Sequence, residues 1–368
     1  GYAQGFDQWN VVPETDEKTK YAPARAMFAE MDRMLNARDS AKPLFLYVHL
    51  MDIHSPYNAA DSFRDPFVDE VRRAPASRRI ENSKSKAGRI FGPAKSTRDI
   101  DKQLWLRPEY WSALYDAGIK ELDANLIRFR STLKRHELGD NSILIVTADH
   151  GEALYEQGGW SHGMSPYDHQ YHVPLLFHAP KRWPTPRRIE TTVSLVGLKS
   201  TVLDVVGLKS EALNQGPSFA PMLDGGPPPD EPFAFCEGVK GYGNQKAIYR
   251  GPYKIVHDTD SADAACFDLR EDPLELQRNP IPENDPEFMK LRRRLDEILA
   301  ESSRLQSHFK PSRKPLPRDQ IDRLKKLGYL NEDEIETEWA QQLRHVDPAD
   351  RYYGGFSFKR PYRPPDRP

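Results

Sequence analysis

The sequence predicts an α/β fold with a mostly parallel central sheet flanked by helices, followed by a smaller C-terminal antiparallel sheet with a helix. Three apolar runs, Pro43 to Leu50, Ser142 to Ala148 and Val173 to Ala179, have the continuous apolarity of strands covered on both faces. A helical pattern from about Glu109 to His136 supplies a crossover between the first two runs. After Asp230 the sequence changes to short β-rich pieces separated by turns, which indicates the second sheet.

The three runs are expected to be neighbouring or near-neighbouring strands of the first sheet. Their predicted strand cores are Leu44 to Leu50, Ser142 to Ala148 and Val173 to Phe177. Apolar residues at helical spacing predict two more helices, Lys20 to Ala37 and about Leu195 to Val206. These helices and the crossover helix would cover the apolar faces of the sheet.

The C-terminal part predicts a different arrangement. The β-rich pieces FAFCE, KAIYR, YKIVH and CFDL are separated by turns, which is typical of an antiparallel sheet. One helix is predicted from Pro286 to Leu305 and a shorter one near Gln320 to Leu327. The predicted domains are therefore 1–230, 231–330 and a Pro- and Arg-rich extended tail, 331–368.

The composition limits the partners of the chain. Its 53 Lys and Arg nearly balance 55 Asp and Glu, so binding to nucleic acid is not expected. There is no apolar run of about eighteen residues, so no membrane span is expected. Cys236 and Cys266 form no CxxC pair, which excludes a cysteine metal cluster, and either one disulfide or two isolated thiols fits the sequence.

One stretch, Val71 to Lys102, is rich in Lys and Arg and poor in acidic residues. A basic lid over an anionic substrate would have this composition. A solvated insertion without a binding role would have it too.

Ligand-type side chains follow the second apolar run directly. Asp149 and His150 lie where that strand would end, and ligands of open α/β sheets bind beyond the carboxyl ends of the strands. A carboxylate favours hard cations and an imidazole widens the choice to transition metals. The alternative is an ordinary loop with a capping Asp and an exposed His.

The first apolar run repeats this pattern, with Asp52 and His54 just past its end. Two strands would thus deliver His and Asp side chains to one edge of the sheet, which favours a site over two unrelated loops. Asp149, His150, His54 and a later histidine, His162, are expected to converge on one cleft at that edge.

The motifs VHLMDIHSPY, YDAGIKELDANL, DNSILIVTADHGE and GGWSHG…YDHQYHVPLLFHAP occur in this order. In combination they resemble the sulfatase family of the alkaline phosphatase superfamily. The resemblance implies an alkaline phosphatase-like fold and a sulfuric ester hydrolase. It also implies that residues 1–230 are the C-terminal portion of a catalytic α/β domain.

The resemblance assigns roles at the matching positions. Asp149 and His150 would be ligands of a divalent metal, usually calcium, with manganese and magnesium as alternatives. His54 would contact the sulfate or the leaving oxygen, and His162 would stand near the leaving group. If protonated, either histidine could donate a proton to the departing alcohol. The alternative for both is a neutral buried imidazole.

The nucleophile of the family is not among these motifs. Sulfatases carry a Cys or Ser, followed by x-Pro-x-Arg, that is oxidised to formylglycine, and neither Cys236 nor Cys266 fits this motif. The formylglycine motif and the paired aspartates that complete the metal site are therefore expected upstream of this chain. The chain alone is expected to be inactive, and the full-length protein to need a formylglycine-generating enzyme.

The resemblance further implies a sulfate ester substrate, with a sulfated glycan as one candidate, and an extracytoplasmic location, periplasmic or secreted. Two alternatives stay open. Many sulfatases have Asn where this chain has His150, and the histidine form resembles phosphonate and phosphodiester hydrolases of the same superfamily. A non-catalytic truncated homologue that binds sulfate or a glycan is the other.

Overall fold

A computed structural model describes the residues 5–13, 21–75, 104–156, 159–163, 165–209, 216–229, 232–237, 245–259, 264–276 and 281–306. The predicted helix near 320–327, the tail 331–368 and most of the basic stretch lie outside them. By packing, the chain divides into a first unit, Gly1–Ser161 with Val173–Pro186, and a second unit, His162–His172 with Arg187–Pro368. The boundaries of these units differ from those of the predicted domains, which remain predictions.

The helices within the described residues include all those predicted there. Their bounds are α1 Ala24–Ala37, α2 Asp61–Arg73, α3 Pro108–Arg135, α4 Asp168–Tyr171, α5 Leu198–Val205, α6 Ala220–Leu223 and α7 Pro286–Gln306. Short 3-10 turns precede α3 at Leu104–Leu106 and α5 at Leu195–Gly197. None of the described helices has the length and apolarity needed to cross a membrane.

The described residues of the first unit form two short strand pairs. The strands are β1 Leu144–Thr147, β2 Ala153–Leu154, β3 Trp160–Ser161 and β4 Leu175–His178. β1 pairs with β4, and β2 pairs with β3 in a hairpin that the sequence did not predict.

The direction of the β1–β4 pair corrects the expectation of parallel neighbours, because these two strands are antiparallel, with Leu144 opposite His178. Neither strand is buried on both faces: β4 alternates between half-buried and exposed residues, and Thr147 of β1 is exposed. Continuous apolarity favours parallel strands covered on both faces, but it does not fix the direction of a strand. An antiparallel pair also needs no crossover helix between its strands.

Exposed and half-buried residues alternate along the first apolar run, as they do in a strand. Within the described part of the chain, however, this run is not hydrogen-bonded to another strand. Leu46, Val48 and Leu50 pack on a core formed by α1 and α3. Phe45 and Tyr47 point the other way, and 70% and 55% of their surfaces are exposed. This run is therefore covered on one face only.

Helix α2 was not predicted, although its apolar residues are at helical spacing. Val68 and Val71 are buried, and they pack in one core cluster with Trp111 and Leu114 of α3. Pro66 inside the helix and the basic residues at its end concealed the pattern in the sequence. The predicted basic stretch thus begins on the last turn of a packed helix.

The predicted C-terminal sheet is confirmed. Four strands, β5 Ala234–Glu237, β6 Gln245–Arg250, β7 Tyr253–Asp258 and β8 Ala264–Asp268, pair antiparallel in sequence order. Leu291 and Leu295 of α7 are fully buried against Ile248 and Ile255 of the sheet. Cys236 and Cys266 are both free thiols, on strands that are not neighbours.

Candidate functional site

The loop after β1 presents Asp149 and His150 side by side. The backbone N–H of His150 donates to Asp149 Oδ1 over 3.0 Å, which turns the chain at this point. His150 Nδ1 lies 2.8 Å from the carbonyl oxygen of Gly151, so Nδ1 donates and the lone pair belongs to Nε2. Nε2 is 3.7 Å from Asp149 Oδ2. A carboxylate oxygen and an imidazole nitrogen are thus close enough to bind one cation.

The loop after the first apolar run holds His54 in the same way. Its Nδ1 lies 2.8 Å from the carbonyl oxygen of Ser55, again one residue further along the chain. Its ring is half-buried and meets the Tyr21 ring edge-on at 5.3 Å between centroids. In both candidate histidines, a backbone carbonyl therefore orients the ring through Nδ1.

Asp52 has a structural role in the same loop. Its Oδ1 accepts the backbone N–H of Ala24, the first residue of α1, over 2.8 Å. Burial raises the pKa of this carboxyl, and the nearby Glu121 adds to the rise. An acceptor at the start of α1 satisfies one of the free N–H groups there.

Helix α3 passes close to the backbone of the His54 loop at Gly118. A Cβ on this residue would lie 3.4 Å from the carbonyl oxygen of Asp52 and 3.5 Å from Ile53 Cγ2. The absence of a side chain therefore lets the helix support the loop directly.

Tyr57 and Glu152 join the two loops. Tyr57 belongs to the HSPY motif and Glu152 to the DHGE motif, and the Tyr57 hydroxyl donates to Glu152 Oε2 over 3.0 Å. Only 4% and 8% of their surfaces are exposed. Burial, followed by the charge of Glu152, raises the pKa of Tyr57 well above its usual value. The bond fixes the segment that carries His54 to the segment that carries Asp149 and His150.

Sequence reasoning missed this pair although both residues stand inside the quoted motifs. Tyr57 is the last residue of the VHLMDIHSPY motif and Glu152 the last of the DNSILIVTADHGE motif. One signal in the sequence points to them: one motif carries a phenol and the other a carboxylate, each within three residues of a candidate histidine.

His162 belongs to the second packing unit, whereas His54, Asp149 and His150 belong to the first. It is half-buried, and the following Gly163 has a positive φ of 79°. Its convergence with His54, Asp149 and His150 remains a prediction.

The donors near Asp149 and His150 bear on the predicted metal site. Within the described ranges, no three His, Cys, Asp or Glu side chains form a group that could hold a metal ion. Asp149 and His150 supply an oxygen and a nitrogen, whereas calcium takes roughly six to eight ligands. The two residues therefore fit part of a coordination shell.

The other histidines differ in their surroundings. His178 is an exposed residue of β4, where half-buried and exposed residues alternate. The ring of His169 stacks on Tyr167 at 6.0 Å, and its Nε2 is 3.3 Å from the side-chain nitrogen of Gln170. His172 is exposed, and its Nδ1 is 3.7 Å from Asp168 Oδ2.

Comparison with known proteins gives the family. The family model described as Sulfatase matches residues 2–208. Because this match covers more than half of the 368 residues, the chain belongs to the sulfatase family. The choline-sulfatase of Rhizobium meliloti (strain 1021) is 27% identical over 251 residues, which are 66% of this chain and 47% of that protein. The chain spans about half the length, or less, of the curated relatives that it matches.

Solved structures agree on the fold. A complex described as containing its substrate D-glucosamine-2-N,6-O-disulfate superposes with a TM-score of 0.60 at 20% identity, over 85% of this chain and 78% of that one. The phosphonate monoester hydrolase of Agrobacterium radiobacter gives a TM-score of 0.54 at 22% identity, over 80% of this chain and 65% of that one. The predicted α/β, alkaline phosphatase-like fold with a C-terminal antiparallel sheet is confirmed.

Proposed function

We propose that this chain provides the leaving-group side and part of the metal site of a sulfuric ester hydrolase. Asp149 and His150 bind a divalent cation, calcium in the first instance, and His54 and His162 act on the ester. The observation that carries the proposal is the Tyr57–Glu152 bond, which ties the His54 loop to the Asp149–His150 loop. Membership of the sulfatase family supports the hydrolase class.

The chain's own residues suit these tasks. When bound, the cation orients the ester and screens the charge on its sulfuryl oxygens. The carbonyls of Ser55 and Gly151 lie at the Nδ1 atoms of the two loop histidines. In the proposal, Nε2 of His150 binds the cation and Nε2 of His54 contacts the ester. In the proposal, His54 contacts the sulfuryl or leaving oxygen, and His162, when protonated, gives its proton to the departing alcohol.

The nucleophile of the proposed reaction is a formylglycine on a segment upstream of residue 1. The same upstream segment supplies the paired aspartates of the metal site. In the proposal, this upstream segment packs on the exposed side of the run 43–50. The exposed fractions of Phe45 and Tyr47 are 70% and 55%, and the centroid of the Phe45 ring is 5.8 Å from that of the Phe6 ring. The proposal includes a formylglycine-generating enzyme as partner and an extracytoplasmic location, periplasmic or secreted.

The substrate of the proposed enzyme is a sulfate ester, with a sulfated sugar as the first candidate. A structural relative holds D-glucosamine-2-N,6-O-disulfate as its substrate, which makes sulfated sugars the first compounds to test. The second candidate is a phosphonate or phosphodiester hydrolase. It is favoured by the imidazole of His150 in the metal pair and by the fold shared with a phosphonate monoester hydrolase.

The experiment compares the 368-residue chain with the longer protein that includes the upstream segment. The chain alone is expected to bind calcium weakly in calorimetry and to leave aryl sulfates intact, because two ligands fill only part of the roughly six- to eight-fold shell. The longer protein, co-expressed with a formylglycine-generating enzyme, is expected to hydrolyse an aryl sulfate. Its Asp149→Ala variant is expected to lose that activity.

Asp140→Ala is the matched control, since Asp140 is an exposed aspartate at the other end of β1. This variant is expected to keep full activity. Turnover of a sulfate ester by the 368-residue chain would contradict the upstream nucleophile. A preference of the longer protein for phosphonate esters by orders of magnitude would favour the second candidate.

A further inference from the structure

Lys254 is a fully buried ammonium group on β7, an inner strand of the C-terminal sheet. Its Nζ lies 3.0 Å from Asp168 Oδ1 and also contacts Glu275 Oε1. The ring of Tyr249 is 4.5 Å from Nζ, and that of Tyr167 is 5.7 Å away. Two carboxylates and two aromatic faces thus surround one cation inside the second packing unit.

A buried charge is costly unless it is paired and hydrogen-bonded. Here the pairing extends to the backbone, because Glu275 Oε2 accepts the N–H of Asp168 over 2.7 Å. Burial raises the pKa of Glu275, and Lys254 opposes that rise. The cluster therefore holds both the side chain and the backbone of Asp168.

Asp168 belongs to a part of the chain that contains three histidines, the described residues 162–163 and 165–172, which we call the histidine segment. Two further contacts tie this segment to the same sheet. The Tyr171 hydroxyl donates to the carbonyl oxygen of Glu237 over 2.6 Å. The Tyr167 ring meets Phe267 edge-on at 6.5 Å.

The anchoring extends towards His162. Pro166 is fully buried, and the buried Gln170 donates from its side-chain nitrogen to Ser165 Oγ over 3.0 Å. These contacts extend as far as Ser165, on the C-terminal side of the histidine that the proposed reaction uses.

We propose that Lys254, Glu275 and Asp168 form a positioning cluster, and that Lys254 acts through the histidine segment to hold His162 for proton transfer to the leaving group. The proposal rests on the function proposed above. Lys254 itself has no surface exposed to a substrate. Its influence on the reaction is indirect, through the backbone that it and Glu275 fix.

The activity test uses the longer, formylglycine-containing protein and a series of sulfate esters with leaving groups from acidic phenols to simple alcohols. Lys254→Met keeps the length of the side chain and removes its charge. Its kcat is expected to fall by about tenfold or more for poor leaving groups and much less for acidic phenols, because only the former need a proton in the transition state. KM is expected to stay within about twofold, since a positioned acid acts mainly on the transition state.

Lys290→Met is the matched control, because Lys290 lies on α7 of the same unit with 54% of its side chain exposed. It is expected to leave the dependence on the leaving group unchanged. An equal loss of kcat for all esters in Lys254→Met would overturn the positioning role, since general destabilisation has that signature.

Hydrogen–deuterium exchange of the 368-residue chain tests the anchoring without any turnover. Asp168→Asn, which removes the charge but keeps the shape, is the variant to use if Lys254→Met does not fold. Faster exchange confined to the histidine segment, with β5 to β8 still protected, is the expected result. Unchanged exchange there would overturn the proposal. Failure of the unmodified longer protein to hydrolyse any sulfate ester would instead overturn the proposed function.

Discussion

The Tyr57 hydroxyl donates a 3.0 Å hydrogen bond to the Glu152 carboxylate across 95 residues of sequence. Both partners are buried, so neither can replace the other with bulk water. The bond connects the only two loops of the first packing unit in which sequence reasoning placed site residues. The position of His54 relative to the Asp149–His150 pair therefore depends on a buried hydrogen bond.

Tyr57→Phe removes this bond and keeps the ring. We expect the free energy of unfolding to fall by about 1.5–3 kcal/mol, because a buried carboxylate loses a donor. Chemical denaturation measures the change. Tyr115→Phe is the control, since the Tyr115 ring packs edge-on against Tyr57 at 5.8 Å within the same cluster. A loss as large in Tyr115→Phe would show that any missing hydroxyl in this core has the same effect.

Asp52 allows a test of capping against metal binding. Asp52→Ala removes the acceptor for the Ala24 N–H and is expected to cost about 1 kcal/mol of stability, the usual net contribution of one hydrogen bond. Asp52→Asn keeps an acceptor and is expected to retain most of that stability. Thermal unfolding measures both variants. If Asp52→Asn lowered calcium affinity in the longer protein as much as Asp149→Asn, the structural role of Asp52 would be wrong.

Alkaline pH is expected to destabilise the fold. Burial raises the pKa of Tyr115 and of Tyr167 to about 12, and that of Tyr57 well above its usual value. The unfolded phenol has a pKa of about 10. Because the folded pKa is the higher one, the stabilisation is fully present below about pH 10 and is lost as pH rises from there through about 12.

Denaturation midpoints from pH 9 to pH 12 measure this loss. The phenolate absorbance of the buried tyrosines is expected to appear together with unfolding. Ionisation of all tyrosines near pH 10 in the folded chain would contradict the burial of these rings.

Gly118 tests the support of the His54 loop by α3. Gly118→Ala places a Cβ at 3.4 Å from the Asp52 carbonyl oxygen, an ordinary contact, and the gain in helix propensity of up to about 1 kcal/mol offsets any crowding. Gly118→Val adds methyl groups beyond that contact and is expected to lose about 1–3 kcal/mol through overpacking. Thermal unfolding distinguishes the two variants. Equal stability of Gly118→Val and Gly118→Ala would show that the loop yields freely.

The elements that sequence reasoning predicted well are those defined by local pattern. Apolar spacing gave α1, α3, α5 and α7, and alternating pieces between turns gave β5 to β8. These patterns reflect burial of one face of a helix or strand, which depends on neighbours in the sequence. Helix α2 was missed because Pro66 and the basic end of the helix weakened a pattern of the same kind.

The candidate site, too, was predictable from the sequence only in part. Ligand-type residues at the ends of apolar runs marked Asp149, His150 and His54, and the structure adds the tautomers that Ser55 and Gly151 impose on the two histidines. The tautomer depends on which carbonyl a ring nitrogen meets after the loop has folded, so it could not be predicted from residue types.

The sequence by itself determined the family, the α/β class, the second sheet and the motif residues, because each depends on residue types at fixed spacing. Only the tertiary structure decided the antiparallel direction of β1 and β4, the bond from Tyr57 to Glu152 and the burial of Lys254 between two carboxylates. These features join residues far apart in the chain. Apolarity favours burial without specifying direction or partner, and a buried polar group takes the partner that the completed fold brings within hydrogen-bonding distance.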